Sequence, residues 1–206
     1  MSPTIRLYGT ALSGHSHRIA LALSLLDLPF ESVAVDMQAG GNRTPEFLAL
    51  NPFGQVPVLD DDGTVIPDSN AILAYLGAKY DDGTLMPRDP VEASEVQRWF
   101  SVAAGEIKYG PATARLVKVF GAPLNHAAAL AISAKILPLL DAHLAQREYL
   151  AADRLTFADV AIYSYVAHAP EGDVDLAPYT HVGRWLARIE AHPRFFPFPT
   201  AAEILG

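Results

Sequence analysis

The chain has 206 residues, half of them hydrophobic and 18% charged, with a formal net charge of −8 and no cysteine. That length suits one large or two small domains with a sizeable core. The missing thiols exclude disulfides, thiolate metal sites and a cysteine nucleophile, and the acidic balance speaks against a nucleic-acid binder. Of the seven histidines, His15 and His17 lack the i, i+4 spacing of a metal-binding helix face, so no metal site is expected. Apolar runs break before the roughly 18 residues of a transmembrane helix, and no leader-like segment precedes the first apolar run. The expectation is no membrane association and a cytoplasmic location.

In chain order, Ile5-Arg-Leu-Tyr8 alternates apolar and polar residues and stops at Gly9, which is a strand pattern. Thr10 to Ser16 is small and polar, a loop. From His17 the pattern turns helical through Ile19, Leu21, Ala22, Leu23, Leu25 and Leu26, until Asp27-Leu-Pro29 stops it. Glu31 to Met37 alternates again, giving a second strand and a parallel βαβ unit. Ala39 to Arg43 is a loop, and Thr44-Pro45 opens a short helix to Leu50 as N-cap and first helical residue.

Asn51-Pro-Phe-Gly54 is punctuated as a turn and Val56 to Leu59 as a buried strand. Pro57 stands at the junction, where a cis peptide would leave the Val56 backbone turned outward to pair with an extended ligand. Asp61-Asp-Gly63 predicts a hairpin returning through Thr64 to Ile66. Asp68-Ser69 then precede an apolar helix to Tyr80, and Ser69 at its start is an N-cap or an anion site. Ser13 and Ser69 have no Gly-x-Ser-x-Gly elbow around them, which argues against an acyl-enzyme hydrolase.

Residues 81–90 are rich in breakers and read as a linker. Everything beyond reads as helix: Val91 to Tyr109, Ala112 to Phe120, and a long helix capped by Asn125 in which Pro138 is a kink or an early-turn residue. Thr156 and Asp159 fit a capping box, with Leu155 and Val160 in hydrophobic-staple positions. The helix after them is almost uncharged and so predicted to be central. A last amphipathic helix covers about Pro178 to Ala191, followed by Phe195-Phe-Pro-Phe198, which is apolar enough to dock.

Four segments together resemble the soluble glutathione transferases, in particular a serine-type bacterial member: Tyr8-Gly…Ser13…His17-Arg18-Ile19, Thr44 to Pro57, Asp68-Ser69-Asn-Ala-Ile72 and Leu155-Thr-Phe-Ala-Asp159. The resemblance covers essentially the whole chain. It implies a thioredoxin-like α/β domain over residues 1–80, a linker over 81–90 and an all-helical bundle domain over 91–206. It also implies glutathione as co-substrate, a small hydrophobic electrophile as second substrate, and a homodimer. Val56, before a cis Pro57, would pair with the cysteinyl part of glutathione. Asp68 and Ser69 would hold the γ-glutamyl end, with Gln55 nearby. Asn42-Arg43 stand where serine-type members often carry His-Lys for the glycyl carboxylate, a departure that keeps one cation.

For thiol activation the resemblance favours Ser13, with Ser16 and then Tyr8 as rivals; a donor to the sulfur stabilises the thiolate, which is the nucleophile. Trp99, Ala103, Glu106, Ile107 and Tyr109 would line the electrophile site between the domains. Phe53 would insert into a partner subunit. The implied activity is conjugation of the glutathione thiolate to electrophiles; the alternatives are a glutathione-dependent isomerase or peroxidase, or a non-catalytic binding module on the same fold.

Overall fold

The computed structural model describes residues 5–206; Met1–Thr4, where the sequence reading expects no leader-like segment, lie outside the described residues. Alternation organises strand β1 (Ile5–Gly9): Ile5 and Leu7 are buried in the main core, while Arg6 and Tyr8 take the opposite face. Helix α1 (Gly14–Leu25) connects β1 to a parallel neighbour, β2 (Phe30–Ala34). Helix α2 (Pro45–Leu50) follows, with Thr44 as N-cap and Pro45 in the first turn as expected. Strands β3 (Val58–Asp61) and β4 (Thr64–Pro67) form the hairpin around Asp62 and Gly63, both with positive φ. The sheet order is β2-β1-β3-β4, with β3 antiparallel to both neighbours. Helix α3 (Ser69–Tyr80) completes this thioredoxin-like layer.

The rest is helical: α4 (Pro90–Val102), α5 (Thr113–Phe120), α6 (His126–Leu144), α7 (Phe157–Ala167), α8 (Thr180–Glu190) and a short α9 (Ala201–Leu205). Between α4 and α5 the chain runs as a π-type helix, Ala103–Ala112, that bends at Gly110 where Pro111 follows. The expected break at Gly110-Pro111 is thus a bend. Pro138 lies well inside α6. The capping box at the start of α7 is present in full: the Asp159 carboxylate accepts from the Thr156 backbone N–H at 2.9 Å, and the Thr156 hydroxyl accepts from Ala158 N–H.

α7 is the centre of the molecule, with every residue from Phe157 to Val166 buried. One continuous apolar core links it to α1, α3 and α4, so the sheet layer and the helical layer share an interior. Asp159 ties it further, accepting from Leu150 N–H at 3.0 Å and the Trp185 indole N–H at 2.8 Å. By length and composition α6 could cross a membrane, contrary to the sequence reading that no apolar run is long enough. In the fold it packs against α5, α8 and the π-type segment as a bundle helix, and it carries Lys135, Asp141 and His143. The apolar tail docks: Phe198 is buried and stacks on His17, and Phe196 lies beside Phe30.

Candidate active site

Val56–Pro57 is a cis peptide. The loop around it is shaped from behind by Asn51, which is buried. The Asn51 side-chain amide donates to the Gln55 carbonyl at 2.8 Å, and its oxygen accepts from Phe53 N–H at 3.1 Å. Among the described residues neither the N–H nor the C=O of Val56 has a partner, which is the open backbone edge the sequence suggested. Gln55 is exposed. Asn42 is buried and its amide donates to the Gly54 carbonyl at 2.7 Å, so it braces the loop from inside and does not face a ligand; this corrects its assignment as a direct contact. Arg43 is exposed, its stem passing beside Gly54, and has no acidic partner among the described residues.

At the start of α3 the N-cap is Asp68 rather than Ser69. One Asp68 carboxylate oxygen accepts from Asn70 and Ala71 N–H at 2.9 and 3.0 Å, leaving the other oxygen without a partner among the described residues. Ser69 is buried, and its own N–H, in the first turn, also has no acceptor among the described residues. Its hydroxyl accepts from the Arg18 guanidinium at 2.7 Å and lies 3.3 Å from His15 Nδ1. Arg18 is wholly buried between three helices, donating also to the Asn70 side chain and the Ala161 carbonyl. Burial lowers its pKa to about 10, so it remains a cation at neutral pH. His15 is pushed down to about 3, first by burial and then by Arg18 and Lys108, and stays neutral. A helix N-terminus, the free Ser69 N–H and a buried cation on one hydroxyl make this corner suited to a carboxylate.

The three thiol-activation candidates differ in their surroundings. Ser13 is half-buried at the N-cap of α1, where its hydroxyl oxygen accepts from Ser16 N–H at 3.2 Å and keeps its own proton for donation. Ser16 is buried and faces β1: a Cβ on Gly9 would lie 2.7 Å from its hydroxyl, which accepts weakly from Thr10 N–H at 3.4 Å. Tyr8 is on the other face of the sheet, packed on a small cluster of Val35, Phe47 and Val58 that Leu50 and Val56 also join.

The electrophile-lining set divides. Trp99 is buried, with its indole N–H bonded to the Leu150 carbonyl at 2.7 Å and its ring against His143, which directs it towards the interior of the helical layer. Ala103 and Ile107 are core residues at 1% and 0% exposure. These three corrections share one reason: positions 99, 103 and 107 fall on the face of this helix that packs on its neighbours. Glu106 and Tyr109 are exposed. Phe53 is 80% exposed at the tip of its loop. Among the described residues, no group of three or more His, Asp or Glu side chains is arranged to hold a metal ion.

Two family models match the chain: the glutathione S-transferase N-terminal domain over residues 12–79 and the glutathione S-transferase C-terminal domain over residues 125–193. A glutathione S-transferase 3 from Zea mays is 35% identical over 95% of this chain and 92% of its own length. The chain belongs to the glutathione S-transferase family. Among solved structures, a glutathione S-transferase from Pseudomonas fluorescens superposes with a TM-score of 0.89 at 32% identity, covering 94% of this chain and 98% of that one. A glutathione transferase homologue from a Drosophila species, solved with bound glutathione, gives 0.88 at 26% identity over 98% and 94%. None of these names points to the isomerase, peroxidase or non-catalytic readings.

Three residues of this candidate site had no role in the sequence reading of function: Asn51, His15 and Arg18, the last named only within a segment that carries the resemblance. Arg18 carried a signal, since a lone guanidinium in the middle of an apolar helix must find partners inside the protein. Asn51 and His15 carried none, because their partners are distant in sequence or backbone atoms of a loop.

Proposed function

We propose that this transferase binds glutathione along the Val56 edge and the start of α3, activates its sulfur with Ser13, and passes the thiolate to a small hydrophobic electrophile beside the helical layer. The backbone of Val56, held by Pro57, pairs with the cysteinyl residue. The unbonded oxygen of Asp68 takes the γ-glutamyl ammonium, while the N–H and hydroxyl of Ser69 receive its carboxylate. Arg43 and Gln55, exposed on the same loop region, serve the glycyl end.

The observation that carries this reading is the state of the Ser13 hydroxyl. Its oxygen is engaged by Ser16 N–H, and its proton is left for the sulfur. A hydrogen bond to the thiolate lowers the thiol pKa and enlarges the nucleophilic fraction. The sulfur then forms the new S–C bond as the leaving group departs with its electron pair, or as the electrophile takes up the charge in an addition. Glu106 and Tyr109 are the residues of the first helical segment still available to line that pocket.

Ultraviolet titration of the bound thiolate tests this. Ser13→Ala should raise its apparent pKa by about one to two units, the worth of a charge-assisted hydrogen bond, with glutathione affinity nearly unchanged. An unaltered pKa would remove Ser13 from the mechanism.

The reading extends to a cytoplasmic homodimer. Phe53 stands out from its loop, and a groove of about 210 Å³ between α4 and α6, where Val102, Ile136, Leu139 and Leu140 are flanked by Arg98, Trp99 and His143, has room for an aromatic ring from a second copy. Both features support the pairing.

A further inference from the structure

The C-terminal segment runs along α1 from its last turn to its first. Arg194 donates to the Leu25 carbonyl at 3.4 Å and to Asp27 at 2.9 Å, and its own carbonyl accepts from the Ser24 hydroxyl at 2.9 Å. Further on, the Phe196 carbonyl accepts from His17 Nε2–H at 2.8 Å. Phe198 then enters the interior as a wedge. Its ring stacks on His17, with centroids 4.6 Å apart and planes 12° from parallel; it also meets the His168 ring at 4.2 Å and the Arg115 guanidinium at 5.3 Å. Beyond it, Ala201 N–H donates to one oxygen of the Glu171 carboxylate at 2.8 Å, and the other oxygen accepts from Arg115 Nε–H.

The two groups held in this way, His17 and Arg115, both bear on Ser13. Arg115, 1% exposed on α5, donates from Nη1 to the Leu12 carbonyl at 2.7 Å, which anchors the peptide plane before Ser13. His17 N–H donates to the Ser13 carbonyl at 2.9 Å, which anchors the plane after it. A residue has only two soft backbone dihedrals, so fixing both flanking planes fixes the direction in which its side chain leaves. A buried guanidinium is costly unless its donors find acceptors, and Arg115 places one of its own on a loop carbonyl.

We propose that Phe198 is a positioning residue for thiol activation: docked against His17 and Arg115, it holds the two peptide planes that flank Ser13 and so aims the Ser13 hydroxyl at the glutathione sulfur. This rests on the assignment of Ser13 as the activating residue. With the wedge gone, His17 and Arg115 gain freedom, and the hydroxyl spends part of its time turned away from the sulfur. Among the described residues the C-terminal segment makes no hydrogen bond to Val56, Asp68 or Ser69, so glutathione affinity is independent of it.

The test compares the wild type with Phe198→Ala, Ser13→Ala and the double variant. Each is measured for the apparent pKa of the bound thiolate, the single-turnover rate at saturating glutathione, and the glutathione Kd. The thiolate signal comes only from molecules that bind glutathione, so unfolded protein does not contribute. Phe198→Ala should raise the pKa by about half a unit to one unit, a part of what the whole Ser13 hydrogen bond contributes. Below that pKa the rate should fall about three- to tenfold with Kd unchanged, and the change should add nothing to Ser13→Ala. Should Phe198→Ala fail to bind glutathione, Arg115→Lys decides: its single ammonium replaces the fork that spans Glu171 and the Leu12 carbonyl, and it should give the same shift. If Ser13→Ala raises the pKa and Phe198→Ala, or Arg115→Lys in its place, does not, the wedge is only structural and the Ser13 assignment stands. If Ser13→Ala has no effect, both fall. An equal shift with and without the Ser13 hydroxyl, or one accompanied by weaker glutathione binding, means another route and overturns the proposal.

Discussion

Replacing Asp159 with alanine removes the acceptor for three buried donors that cannot turn elsewhere: the N–H groups of Leu150 and Thr156 and the indole of Trp185. Each orphaned donor costs about 1–3 kcal/mol, so the gross loss is about 3–9 kcal/mol. Against this, burial raises the Asp159 pKa from 3.8 to about 6 despite those hydrogen bonds. A carboxyl raised in the folded state keeps a proton that the unfolded chain releases. Its contribution is therefore greatest below about 3.8 and declines as pH rises to about 6, by about 3 kcal/mol in all. The alanine variant is free of that cost at neutral pH, which leaves a net loss of about 0–6 kcal/mol at pH 7.5, whose midpoint is a large share of a typical domain's stability. At pH 4.5 the wild type has yet to incur most of it, so the variant's deficit there should be larger by about 2 kcal/mol. Urea unfolding of both proteins at the two pH values, with unchanged m, reads this directly. Taking the difference between the proteins cancels the buried histidines, which titrate in both. A deficit equal or greater at pH 7.5 would refute the reasoning. Activity should fall with stability, because α7 carries the Ala161 carbonyl that holds Arg18.

His17 works in the opposite sense. Burial lowers its pKa to about 4, below its ordinary 6.5, so its contribution is complete above 6.5 and fades, by about 3 kcal/mol, as pH falls to 4. Its ring nitrogens meet the Ser164 hydroxyl and the Phe196 carbonyl, both at 2.8 Å. His17→Gln should flatten the acid limb of the stability curve; parallel curves for the two proteins would contradict the assignment. Ser69→Ala should weaken glutathione binding about 10- to 100-fold by calorimetry, the range for a hydrogen bond to a charged group, with the thiolate pKa hardly moved. Unchanged affinity would exclude Ser69 as the carboxylate ligand. Phe53→Ser should raise the dimer dissociation constant about 10²- to 10⁴-fold, since two rings each lose about 1.5–3 kcal/mol of burial. A sedimentation profile identical to the wild type would remove Phe53 from the interface.

Local grammar in the chain determined most of the architecture. Thr44-Pro45 starts α2, Asp62-Gly63 turns the hairpin, and Thr156 with Asp159 caps α7, each through contacts within three or four residues. Such features are legible because the atoms that satisfy one another are neighbours in sequence. The same holds for the Val56–Pro57 corner, where proline and the flanking turn act on the adjacent backbone. Tertiary structure decided what depends on direction. It gave the cap of α3 to Asp68 and left the Ser69 N–H free, and it buried Trp99, Ala103 and Ile107, which the family resemblance had put at the electrophile site. It also turned Ser16 against β1, packed Tyr8 on the cluster that Val56 joins, and set Ser13 at the N-cap of α1. Arg18 with Ser69, and Tyr165 beneath Gly14, are pairings across 51 and 151 residues that exist only because α1, α3 and α7 pack together. No local pattern encodes them, since long-range contacts are set by which helix faces must be buried against each other.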